Sequence, residues 1–208
     1  MLIVFIGADG SGKTSVANEL ALKLANKFES VKYFHTIFGI APKNILRIFK
    51  FKKNKKKSIE ESLRQRDGFY DYPEPYSATR ASIILIKNSI DYFLGHILAN
   101  PFTRKKNLLI FDRYFYEFFT EEHFKNQPKW TLSLYKFILP KPDLVIYLHN
   151  EPEAIFNRKP EQSIDQIRIH NERNESIINE LSYGIRIKTD SSIAEIASKV
   201  EARILEKI

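Results

Sequence analysis

One loop constrains this chain more than anything else in it. GADGSGKT, residues 7–14, follows the apolar run MLIVFI without a break. Behind it comes an apolar stripe at spacing four: Val16, Leu20, Leu24 and Phe28. A buried strand, a glycine-rich turn and a helix therefore succeed one another within one local unit. Gly7, Gly12, Lys13 and Thr14 fill the pattern G-x-x-x-x-G-K-[ST]. At ~7% average Gly usage the bare pattern arises in on the order of one chain in a hundred of this length. The flanking strand and helix make coincidence much rarer. The glycines let backbone N–H groups turn inward on phosphate oxygens, the lysine reaches the β- and γ-phosphates, and the hydroxyl serves Mg²⁺. The helix behind presents its positive N-terminal end to the same anion. ATP and Mg²⁺ are the cofactors this loop implies. Gly7, Ala8, Asp9 and Gly10 are expected to line the site, with Ser11, Gly12, Lys13, Thr14 and Ser15. Asp9 is the odd member, a carboxylate inside an anion-binding loop.

Further along, apolar runs of strand length alternate with segments of helical period. The spacing predicts strands over 2–6, 31–35, 107–111, 143–148 and 184–188. It predicts helices over 13–28, 82–98, 151–158, 164–181 and 192–208, with one or two more between 114 and 139, broken near Gln127 and Pro128. Such alternation implies an α/β fold, a parallel sheet of about five strands with helices on both faces. The 208 residues read as a single domain, 1–208. Residues 39–80 are the exception, a flexible, partly helical insertion. It holds RIFKFKKNKKK, opening at Arg47 and closing at Lys57, with seven basic residues and no acidic one. The net charge of +8 is concentrated there. The run reads as a solvated loop, or as a patch for an anionic acceptor, a membrane or nucleic acid. Nucleic acid ranks low, because no aromatic stacking platform accompanies it. Phe49 and Phe51 leave membrane contact open, but the run is too short and irregular for an amphipathic anchor. Zero Cys excludes a disulfide framework and a thiolate metal site. With no apolar run of transmembrane length and no signal peptide, a cytoplasmic location is expected.

FDRYFYEFF begins at Phe111, directly after the strand LLIF. Asp112 stands where the second acidic group of a phosphate-loop site is expected, on Mg²⁺ directly or through water. The next residue is Arg113, and an arginine fork suits a second phosphate rather than the activation of water. A guanine-type N-K-x-D motif is missing: Asn26–Lys27 runs into Phe28 and Glu29. The pattern favours a phosphotransferase over a switch or a motor.

GADGSGKT followed by a mid-chain DRY resembles the thymidylate kinase family. PKPDLVIYL with EPEAIFNRK resembles that family's PDL strand, P-E turn and arginine-bearing lid, and IKTDSSIAEIASKVEARIL its last strand, adenine-side loop and final helix. The resemblance covers most of the chain outside residues 36–80. It implies the P-loop NTPase fold with a lid around 158–165, and transfer of a phosphoryl group from ATP to a nucleoside monophosphate, dTMP first. It implies that Asp9 contacts the sugar hydroxyl of the acceptor, a role that stands beside the plainer one of a turn residue bonding nearby amides. It places Arg158 and Lys159, with Glu161, over the transferred group, where cations neutralise developing charge. Arg168 and Arg173 lie further into the next helix. Thr189 and Asp190 would flank the adenine, or else cap the last helix. Members of the family commonly form homodimers, and the apolar face from Ile83 to Leu94 suits such a contact or the core.

Three departures touch the acceptor side. The R-E-P-G-G-T-like segment of the family is replaced by FHTIFGIAPK. The helix SIILIKNSIDYFLGHIL has no arginine, only Lys87 and Asp91, with Arg80 just upstream. PDLVIYL is followed by His149 where the family's strand ends in an aspartate. DRYFYE, RKPE and the SIDYFLG helix also look like thymidylate-kinase-like proteins associated with surface-polysaccharide synthesis. A sugar or lipid-linked acceptor is therefore the alternative reading, and a nucleotide-binding regulatory protein without turnover is the next.

Overall fold

The computed structural model describes residues 1–35, 74–99 and 107–207. The basic run from Arg47 to Lys57, with most of the insertion expected at 39–80, lies outside the described residues. Five strands form one parallel sheet: β1 (Leu2–Ile6), β2 (Ser30–Phe34), β3 (Asn107–Asp112), β4 (Leu144–His149) and β5 (Gly184–Lys188). Their order is β2-β3-β1-β4-β5, so the strand that carries the loop is central. Its register sets Phe5 opposite Asp112 on one side and Ile146 on the other. A central strand is covered on both faces, which is why LIVFI is apolar throughout instead of alternating.

Successive side chains of β1 enter different cores. Ile3 and Phe5 join Val16, Leu20 and Leu24 of α1 (Lys13–Leu24) and Ile196, Val200 and Ile204 of α6 (Ile193–Leu205). Val4 and Ile6 join Leu85 of α2 (Ala78–Ala99), Tyr135 of α3 (Trp130–Ile138) and Ile178 of α5 (Ile164–Asn179). A third cluster, Ala8, Ile155 and Ile167, ties the loop to α4 (Pro152–Arg158) and α5.

Helix α1 is shorter than its periodicity predicts. It ends at Leu24, and Lys27 N–H bonds back to the Leu24 carbonyl, turning the chain towards β2. Phe28, outside the helix, still packs on the same core. The segment after β3 also differs from expectation. Its first half winds as two 3₁₀ turns, Phe115–Phe119 and Glu122–Phe124, and only the part after Pro128 becomes α-helix. Aromatic crowding explains this. Phe115 and Tyr116 are both buried, with ring centroids 4.2 Å apart, and Phe118 and Phe119 pack around Tyr135. The apolar face expected from Ile83 to Leu94 divides: Leu85 and Tyr92 are core, while Ile83, Ile86, Ile90, Phe93 and Leu94 are exposed. Among the described residues, no helix is long and apolar enough to cross a membrane.

Candidate active site

The chain leaves β1 at Gly7 with φ of 147°, and a Cβ there would stand 2.4 Å from the Leu148 carbonyl oxygen of β4. Only glycine lets the loop cross so close to the neighbouring strand. Gly12, left-handed at φ 91°, delivers the chain into α1. Lys13 is buried, and its Nζ donates to the carbonyls of Gly7 (2.7 Å) and Ala8 (2.9 Å). The ammonium is thus folded back across the loop. Burial holds Lys13 below its ordinary value, against the opposing pull of the Asp9 and Asp112 carboxylates.

Asp112 ends β3 beside this loop, fully buried. Its Oδ2 accepts from the Thr14 hydroxyl (2.5 Å) and the Tyr33 hydroxyl (2.9 Å), and His35 Nδ1 lies 3.3 Å away. Burial pushes the Asp112 carboxyl up. The bonds from His35 and Thr14, the charge of Lys13 and the bond from Tyr33 outweigh it, and the net shift is downward. Asp112 Oδ1 is buried and has no partner. A hydroxyl, an ionised carboxylate and an unsatisfied carboxylate oxygen form a hard-oxygen donor set, which suits Mg²⁺ held partly through water and phosphate. Among the described residues there is no cluster of three or more His, Cys, Asp or Glu side chains that could hold a metal without such help.

Arg113 follows with φ of 82°, the one described non-glycine residue with positive φ. For a residue with a Cβ that geometry is strained, and its effect is to aim the guanidinium back over the loop. Arg113 Nη2 donates to Asp9 Oδ1 at 2.6 Å, and Nη1 pairs with Glu117 Oε1 at 2.8 Å. Burial pushes the Asp9 carboxyl up, but Lys13 and Arg113 prevail and hold it below the usual carboxylate range. Glu117 is pushed the other way, up to about 7, because burial outweighs the pull of Arg113 and Lys13.

Two cavities meet at this pair. The larger, about 740 Å³, runs from the loop and Asp112 past Lys159 to Thr189 and Ser192. The smaller, about 270 Å³, is lined by Glu117, Glu121, Glu122, Gln166, His170 and Arg173, among others. Asp9 and Arg113 line both. Burial brings His170 down to about 4, so its imidazole is neutral near pH 7, and its Nδ1 has no partner.

No protein-family model matches the chain. It is 31% identical over 160 residues to the probable thymidylate kinase of Staphylothermus marinus, across 76% of this chain and 67% of that protein. The chain belongs to the thymidylate kinase family. Its five-stranded parallel sheet, carrying the loop on the central strand, is the P-loop kinase fold of that family.

Several residues singled out by their thymidylate kinase resemblance stand where the sequence alone could not place them. Arg158 is bonded to Thr189, Nη1 to the hydroxyl at 3.1 Å and Nη2 to the carbonyl at 2.5 Å. Lys159 is the cation against the loop: its Cβ lies 3.0 Å from where a Cβ on Gly10 would stand, and its Nζ pairs with Glu161 at 2.8 Å. Thr189 is buried and bonds the His149 carbonyl through both N–H and hydroxyl. The cap of α6 is Ser192, in a reciprocal box with Glu195, so neither Thr189 nor Asp190 has that task. Asp190 is exposed and lines a separate groove with Lys188 and Lys199. Ser15 lies with Thr14 along the larger cavity. Arg168 pairs with Asp165 at the surface, whereas Arg173 lines the smaller cavity, bonded to the Thr120 carbonyl and Glu122. Arg80 stacks on Tyr76 at 4.4 Å. The His149 ring lies tilted against Tyr147 and lines neither cavity. Tyr33, His35, Glu117 and His170 were missed by sequence reasoning. Tyr33 and His35 carried a faint signal, being two apart at the carboxyl end of a strand, where ligands of open α/β sheets bind.

Proposed function

We propose that the protein transfers the γ-phosphoryl group of Mg·ATP to a nucleoside monophosphate, dTMP first. The observation that carries this is the pair of cavities meeting at Asp9 and Arg113, beside Lys13 and the Thr14–Asp112 bond. The larger cavity takes the donor. Lys13 exchanges its two loop carbonyls for phosphate oxygens, and the loop amides and the start of α1 hold the rest of the anion. Thr14 and Asp112 would hold Mg²⁺, which would supply neutralisation of charge on the β- and γ-phosphates. The smaller cavity takes the acceptor. Arg113 grips its phosphate with a bidentate fork, and Asp9 accepts a hydrogen bond from its sugar hydroxyl. Lys159 stands over the loop to neutralise charge during transfer, and Arg158 braces the Thr189 wall beside the donor's base. A monophosphate brings its own nucleophilic oxygen, so positioning and charge neutralisation supply the rate and no base is needed.

A second reading is favoured by Glu117. A carboxyl near neutrality inside a cavity that also holds Asp9, Glu121 and Glu122 suits an acceptor hydroxyl with a proton to lose, as on a sugar. ADP release with Mg·ATP over a panel of monophosphates, sugars and sugar phosphates separates the two. Turnover confined to dTMP supports the first reading. Silence on every monophosphate together with turnover on a sugar overturns it. Under either reading Lys13→Ala lowers kcat by about 10²–10³ or more. Unchanged turnover in that variant would sink the donor site.

A further inference from the structure

Both terminal nitrogens of Arg113 are already occupied, one by Asp9 and the other by Glu117. Each keeps a second N–H, but a phosphate arriving on Nη1 meets the Glu117 carboxylate there, and two anions on one guanidinium nitrogen repel. Arg113 has little freedom to swing clear. Its backbone is fixed at a positive φ, its N–H reaches the Phe5 carbonyl at 3.4 Å, and its Nε is buried without a partner. We infer that the acceptor's phosphate displaces Glu117 from Arg113, and that acceptor binding therefore draws a proton onto Glu117. The inference rests on the reading that a phosphate monoester sits on Arg113.

The geometry leaves the displaced carboxylate few choices. Glu117 is only 24% exposed, and the smaller cavity that it lines is the one the acceptor fills. Between it and the Gly7–Lys13 loop lies a space of about 10 Å³, walled by Phe5, Ile6, Thr120 and Asn174, which has room for about one water. An uncompensated carboxylate in such a place is costly, and taking up a proton is the cheaper outcome. The charged groups facing Glu117 are Arg113 and Lys13, which draw its charge, and Glu121 and Asp9, which repel it. An incoming phosphate adds to the repulsion. Asp9 lacks the same response, because Lys13 and Arg113 together hold it ionised. Glu117 acts through Arg113 and is a positioning residue: charged, it holds the empty guanidinium in place; protonated, it releases it.

The sign follows from linkage. Burial holds Glu117 up at about 7 in the free enzyme, and a bound dianion raises that value further. Between the two values binding takes up a proton, so affinity falls as pH rises, approaching tenfold per pH unit. The phosphate of a monoester, with a second ionisation near about 6, is fully charged across that range. His170 is already neutral there.

The test is calorimetric titration of the full chain, without ATP, from about pH 7 to about pH 9. The ligands are dTMP and, separately, 2-deoxyribose 5-phosphate, a monoester without a base. Two buffers of unlike ionisation enthalpy give the number of protons taken up. The expected result is weakening of both monoesters with pH, accompanied by proton uptake. Glu117→Gln binds more tightly at the alkaline end, with a flat profile. His123→Asn, which removes the other ring lining the cavity, keeps the slope. A flat wild-type profile, a slope that survives in Glu117→Gln (pointing to Lys13), or no monoester binding at any pH overturns the inference. The wild-type measurement stands alone if the variant fails to fold. Proton-coupled binding of dTMP without ADP formation would defeat the kinase reading and leave this inference standing. Turnover of dTMP with pH-independent binding would do the reverse.

Discussion

At the scale of the residue, Gly7 is the position with least tolerance. The Leu148 carbonyl sits where its Cβ would go, and its φ of 147° is one that residues with a side chain rarely adopt. Gly7→Ala should destabilise the fold by about 2–4 kcal/mol, from strain plus the displaced β4 backbone. Urea unfolding would show it as a lower midpoint, and a loss under ~0.5 kcal/mol would mean the loop shifts freely. This glycine, with Gly12, Lys13 and Thr14, was legible in the sequence because the whole motif is local. Asp112 was legible as a strand-end carboxylate, but its partners were not. Tyr33 and His35 reach it across the sheet, and only the β2–β3 register brings them there. Glu117 was illegible for another reason. Its chemistry comes from burial, and a glutamate four residues after an arginine in an aromatic segment reads as an ordinary surface pair. The loop's carboxylate, Asp9, proves to be neither isolated nor opposed to the phosphate site, since Lys13 and Arg113 flank it.

Among the elements, α1 separates packing from pattern. Leu20 is fully buried, and Leu22, two residues on, is 74% exposed. Leu20→Ala should cost about 2–5 kcal/mol, cavity included, and Leu22→Ala less than about 0.5 kcal/mol. Paired denaturation curves check this, and comparable losses would mean that α1 is rotated from the orientation described. The apolar faces of α1, α5 and α6 were readable from helical period alone; the caps of α5 and α6, Ser163 and Ser192, each in a reciprocal box, were not. The stretch from Tyr114 to Pro128 was not. Successive aromatic residues satisfy a helical period and a 3₁₀ turn equally well, and ring packing, which is non-local, decides between them.

For the molecule as a whole, two half-buried groups set opposite pH trends. His170 is held below its ordinary 6.5, so folding is favoured above that value and loses the contribution as pH falls from 6.5 towards about 4. Glu117 is raised from 4.5 to about 7, so its contribution is full below 4.5 and lost as pH rises through about 7. Between 4.5 and 6.5 the two slopes oppose one another, and the thermal midpoint should vary little. Glu117→Gln should uncover the His170 trend, with stability falling on acidification. His170→Asn should uncover the reverse. Thermal scans over this range test both, and parallel profiles in the two variants would show that neither group governs the response. The strand–helix alternation made the layered sheet legible from the sequence. The strand order was not read from it, because it depends on which crossovers pack together.

The join between the described segments has a consequence for descent. The chain leaves the sheet at His35, whose ring lies on Asp112. The described chain resumes at Glu74, ahead of α2, and the Glu74 carbonyl lies 3.1 Å from His123 Nδ1 on the wall of the smaller cavity. Both junctions thus lie beside the chemistry, while the phosphate loop and α1 come from the chain before them. Such a gene can lengthen, shorten or exchange the intervening stretch and leave the donor half intact. New acceptors could then be tried in succession on a scaffold that never has to be rebuilt.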